Sequence, residues 1–65
     1  MARSGEGRRI RQMADATQAE VGESAGVTAA TVHLWETGQR VPTGERAERY
    51  CEVIECLRRE LEGRL

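Results

Sequence analysis

The sequence contains no Phe, no Lys and no Asn, and only one Trp, one Tyr and one Pro in 65 residues. A core without Phe has to be built mainly from Val, Ile, Leu, Met and Ala. No apolar run approaches the ~20 residues of a membrane span, and no signal-peptide pattern is visible. Two cysteines, Cys51 and Cys56, are too few for a disulfide framework. Five positions apart on one helix, they project in different directions, which makes a bridge between them geometrically poor. With one histidine, His33, on another element, they lack metal-ligand spacing. The thiols are read as reduced and the compartment as cytoplasmic, with no metal, cofactor, membrane or small-molecule ligand expected. There is no nucleophilic triad, paired-carboxylate cleft or phosphate-binding glycine loop, and too little volume for a formed pocket, so an enzyme is not expected.

What is present is a globular balance: 38% hydrophobic and 32% charged residues, too apolar for a disordered tail. The length predicts one domain, residues 1–65, close to the lower limit for a core without staples. Net charge is −1, which argues against strong non-specific affinity for a polyanion. The charge is unevenly spread. Residues 1–13 carry Arg3, Arg8, Arg9 and Arg11 against Glu6, whereas residues 14–42 carry Arg40 against Asp15, Glu20, Glu23 and Glu36.

Periodicity predicts four helices and no strand, an all-α bundle. The first spans about 5–14, capped by Ser4, with Ile10 and Met13 inward; Gly5 and Gly7 weaken its start. The second opens on Thr17, where Thr17 and Glu20 form a capping box. It turns Val21 and Ala25 inward and stops at Gly26. The third runs from Thr28 to about Thr37, with Val32 and Trp35 inward. Two short helices joined across so tight a turn must cross steeply, which is helix-turn-helix geometry over about 17–37. Pro42 closes a loop and Thr43 caps a long last helix, about 43–62. Its stripe is Ala47, Tyr50, Cys51, Ile54, Leu57 and Leu61, widened by Val53 and Cys56.

Residues 17–42 read TQAEVGESAGVTAATVHLWETGQRVP. This run resembles the lambda-repressor/Cro-like (XRE) family, whose pattern is Thr-Gln-x-Glu-Leu-Ala, then Gly-Val-Ser/Thr, then Thr-Val-x-x-Trp-Glu-x-Gly-x-x-x-Pro. With the helix before it, the likeness covers more than half of the chain. Gly22 stands where the family has Ala, at a close approach of the second and third helices. The resemblance implies an ion pair between Arg11 and Glu36; otherwise both are solvated charges.

It also implies a duplex DNA operator as partner, with the third helix in the major groove. The base-reading positions are then Ala29, Ala30, His33 and Leu34. Where relatives carry hydrogen-bonding side chains, three of these offer only apolar contacts, for instance to thymine methyls. His33 either donates to guanine N7 or O6, rests on a phosphate, or is an ordinary exposed histidine. Phosphate contacts fall to Gln18 at a helix N-terminus, to Thr28 and Thr31, and to Gln39 and Arg40. Arg11, Arg8 and Arg9 are further candidates. Thr28 is equally explained as a cap, and Arg8 and Arg9 as a solvated face.

The family breaks its chain after the position of Ile54 and starts a fifth helix; this chain does not. Val53, Ile54, Cys56, Leu57 and Leu61 are therefore expected to protrude as an apolar stripe and form a homodimer interface, unless the helix folds along its own core. The implied function is a small Cro-like repressor acting by operator occlusion. The competing reading, favoured by the acidic balance and the poor hydrogen-bonding capacity of the third helix, is a phage or antitoxin-like protein-interaction module on the same scaffold.

Overall fold

The computed structural model describes residues 4–64. Four helices account for most of them: α1 (Ser4–Met13), α2 (Gln18–Ala25), α3 (Ala29–Glu36) and α4 (Gly44–Gly63), with no strand among the described residues. At 1.5 Å per residue, α4 is about 30 Å long, which matches the 32 Å longest extent of the chain. α1 and α2 pack along it, α3 packs on α2 and α1, and the four helices share one core: Ile10, Val21, Ala25, Val32, Trp35, Tyr50 and Ile54. Trp35 and Tyr50 meet edge to face with ring centroids 4.9 Å apart, a favoured geometry because the positive ring edge meets the negative face. No helix among the described residues is long and apolar enough to cross a membrane.

The three short helices end in the same way. Asp15, Gly26 and Gly38 each adopt a left-handed conformation, with φ of 57°, 77° and 77°. After each, the chain closes the paired bonds of a Schellman motif. These are Ala16 N–H to Arg11 O with Asp15 N–H to Gln12 O, Val27 to Gly22 with Gly26 to Glu23, and Gln39 to Leu34 with Gly38 to Trp35. At α2 the expected capping box is present, with Thr17 Oγ1 accepting from Glu20 N–H and Glu20 Oε1 from Thr17 N–H.

Several expectations are corrected. Met13 is 60% exposed: at about 100° per residue, Gly7, Arg11 and Ala14 all fall to one side of Ile10 and Met13 to the other. Gly7 does more than weaken a helix start, because it is buried and a Cβ there would overlap the Tyr50 hydroxyl. Ser4 is the first residue of α1 rather than a flanking cap. Thr43 makes no side-chain cap bond; the chain enters α4 through Gly44 at φ 67°.

On α4 the inward face is Ala47, Tyr50, Ile54, Leu57 and Leu61, with Val53 at its margin. Cys51 and Cys56 are exposed. The stripe expected to protrude packs back instead. Ile54 is only 5% exposed, in the chain's own core, and Val53, Leu57 and Leu61 lie partly buried against that core. Cys56 points about 160° away from Ile54. These five residues therefore do not form one free face.

The close approach at Gly22 is to the turn rather than to α3 itself. A Cβ there would lie 2.7 Å from Val27 O and 3.1 Å from Thr28 O. Gly22→Ala is expected to lower stability by about 1–3 kcal/mol through overpacking against rigid backbone. Asp15→Gly is expected to raise it by about 0.5–1 kcal/mol by relieving the left-handed Cβ clash. Urea unfolding of both variants measures the two effects with opposite signs.

Candidate nucleic-acid interface

The surface around α2 and α3 is organised by one buried carboxylate. Glu36, at the end of α3, is 5% exposed. Arg11 on α1 grips it through both edges, Nε to Oε2 at 2.5 Å and Nη2 to Oε1 at 3.0 Å. The third Arg11 nitrogen, Nη1, donates to Ala16 O at 2.9 Å in the α1–α2 turn. Gln18, the first residue of α2, donates its side-chain amide to Glu36 Oε1 at 3.0 Å. One carboxylate thus joins the end of α1, the start of α2 and the end of α3.

Burial pushes the Glu36 carboxyl pKa up. Hydrogen bonds from Arg11 and Gln18, and the charges of Arg11 and Arg8, outweigh that, and the value ends below the ordinary 4.5. The hydrogen bond to Glu36 in turn raises the pKa of Arg11.

The Arg11–Glu36 pair is where the resemblance put it. Arg11 is committed first to the scaffold, since each of its three nitrogens donates inside the chain and its side chain is only 12% exposed. Gln18 is likewise tied down: besides Glu36, its amide nitrogen lies 3.4 Å from His33 Nδ1. What remains free at the start of α2 is main chain. Thr17 Oγ1 takes the N–H of Glu20 and Thr17 O that of Val21, so the N–H groups of Gln18 and Ala19 are left open, as at any helix start.

α3 divides cleanly into two faces. Val32, Trp35 and Glu36 are buried, Ala30, His33 and Thr37 are exposed, and Ala29, Thr31 and Leu34 are half-buried. Of the four predicted readers, Ala30 and His33 are fully presented, while Ala29 and Leu34 show only part of their surface. Thr28 caps α3, its Oγ1 accepting from Thr31 N–H at 3.2 Å and lying 3.1 Å from Thr31 Oγ1. Gln39 and Arg40 are exposed directly after α3, with both main-chain N–H groups donating to Leu34 O. Arg8 and Arg9 are exposed on α1, and the field of Arg8 reaches Glu36.

Two features escaped the sequence reading. Thr37 Oγ1 donates to the carbonyls of His33 and Leu34 and accepts from Gln39 Nε2 at 3.1 Å, closing the end of α3. The only signal for it was a Thr at a helix C-terminus. The Gln18–His33 contact joins side chains 15 positions apart and left no local signal.

The helix-turn-helix domain family matches residues 8–63 of the chain. No curated protein and no solved structure shows a significant match.

A depressed carboxylate pKa contributes stability above about pH 4.5 that is lost as pH falls through the folded-state value. Glu36→Gln leaves Arg11 buried without its counter-charge and is expected to cost about 3 kcal/mol or more at neutral pH. The difference from wild type should shrink steadily as pH drops below 4.5. Denaturant unfolding of both proteins across pH 3–7 measures it.

Proposed function

Because this chain belongs to the helix-turn-helix domain family, in its lambda-repressor/Cro-like (XRE) branch, we propose that it is a DNA-binding regulator that occupies a short duplex operator and represses by occlusion. The observation that carries the reading is the 3.4 Å contact between Gln18 and His33. It sets the open N-terminal turn of α2 and the outward face of α3 side by side on one surface. A helix N-terminus attracts phosphate through free N–H groups and its dipole, and an exposed helix face fits the major groove.

In this reading α3 lies in the groove, with Ala30 and His33 meeting base edges and Ala29 and Leu34 adding apolar contact. The main-chain N–H groups of Gln18 and Ala19 hold one phosphate. Thr28, Thr31, Gln39, Arg40, Arg8 and Arg9 track the backbone. Two copies bind a palindromic site with their reading helices about 34 Å apart. Few polar readers give modest specificity, part of it from DNA shape. No catalytic step is involved, and the protein acts in the cytoplasm.

A protein-interaction module remains the rival, favoured by the net charge of −1 and by the small apolar surface that α3 presents. Selection of bound duplexes from a random pool separates the two. Wild type is expected to enrich a palindrome. Arg40→Ala is expected to weaken binding to all sequences alike, and to lessen the log–log salt slope by about one per protomer from a dimer value of roughly −5 to −7. No enrichment at any salt concentration sinks the operator reading.

A further inference from the structure

We propose that Gln18 is a positioning residue that fixes the tautomer of His33, so that α3 presents a single hydrogen-bond donor and selects guanine at one position of each half-site. The inference rests on the DNA-binding reading above and adds the chemistry of the base contact.

The orientation of these side chains is set at Glu36. Its carboxylate only accepts hydrogen bonds, and Arg11 holds it ionised. The Gln18 side-chain atom 3.0 Å from Glu36 Oε1 must therefore be the amide nitrogen, which fixes the orientation of that amide. An amide nitrogen has hydrogens and no lone pair to offer. The His33 Nδ1 facing it at 3.4 Å is favourable only as a bare lone pair. The imidazole proton then sits on Nε2. The other tautomer, or the imidazolium, would set N–H against N–H.

His33 is exposed on α3, and Nε2 makes no hydrogen bond among the described residues. The ring thus offers DNA one donor at a defined place. Its neighbours on the reading face, Ala29, Ala30 and Leu34, cannot hydrogen-bond through their side chains. In the major groove guanine presents two adjacent acceptors, N7 and O6. Adenine sets an N6 donor beside N7, and cytosine presents only its N4 donor at that edge. Thymine presents a single acceptor, O4, beside its methyl group. A lone donor therefore prefers guanine with its two acceptors, tolerates adenine and thymine, and rejects cytosine.

Two measurements test this on the full chain. The first reads imidazole nitrogen shifts of the free protein at a pH where His33 is neutral, in wild type and in Gln18→Ala. This variant keeps Glu36 paired with Arg11, and circular dichroism confirms its fold. The expected result is an Nε2–H ring in wild type and a shift toward mixed tautomers in Gln18→Ala. The second is duplex selection with wild type, Gln18→Ala and His33→Ala. Wild type should favour guanine over cytosine by about fivefold or more at one half-site position. His33→Ala should erase that preference while the rest of the motif survives, and Gln18→Ala should blunt it.

Unchanged nitrogen shifts in Gln18→Ala, or an Nδ1–H ring in wild type, overturn the proposal even where a palindrome is enriched. So does a motif without a guanine lost in His33→Ala. If the shifts behave as expected but no duplex is selected, the DNA-binding reading itself has failed, and the base contact with it.

Discussion

The architecture hangs on a carboxylate taken out of water. Glu36 would be costly to bury alone, and it is tolerable because Arg11 meets both its oxygens and Gln18 adds a further donor. Such a pair is a poor source of net stability, since desolvation consumes most of the attraction. Its value here is geometric. An apolar contact between α1 and α3 can slide, whereas a bidentate guanidinium–carboxylate contact has one good arrangement. With the third nitrogen of Arg11 on Ala16 O, the arrangement also fixes where α2 begins. The outward surface of α2 and α3 is thus defined from beneath, by a buried ion pair.

Division of labour follows from this. Residues expected on phosphate also hold the scaffold: Arg11 through its guanidinium, Gln18 through its side chain, Thr28 as a cap. Main-chain N–H groups, Gln39 and the exposed arginines face outward beside them. That is consistent with a chain whose net charge is −1. Glu36 is neutralised internally, and the other acids except the half-buried Glu55 lie on exposed positions.

Much of the fold was legible in the sequence. The Thr17–Glu20 capping box, the Gly26 stop, the inward Val21, Ala25, Val32 and Trp35, and the long α4 all follow from local chemistry or a 3.6-residue period. What was not legible depends on contacts between distant positions. Met13 and Cys51 satisfy the periodicity of their helices, and only the direction of the neighbouring helices leaves them outside. Gly7 reads as a weak helix former until Tyr50 is seen against it. Asp15 carries no glycine signal, yet it adopts the same left-handed conformation as Gly26 and Gly38. At the interface, spacing could name Gln18, His33 and Glu36 but could not show that they touch.

The Schellman closure at Gly26 leaves three residues, Gly26, Val27 and Thr28, between α2 and α3, with Gly22 packed against the carbonyls of the last two. A hinge that short has no slack, so its length is quantised. One residue more or fewer would turn α3 by about 100° about its own axis, exchanging the buried Val32–Trp35 face for the face that carries His33. The segment is fixed in count, and at Gly26, with φ 77°, in composition too. Change at the outward face of α3 is therefore open to substitution of its exposed positions, and closed to sliding the helix along its own sequence.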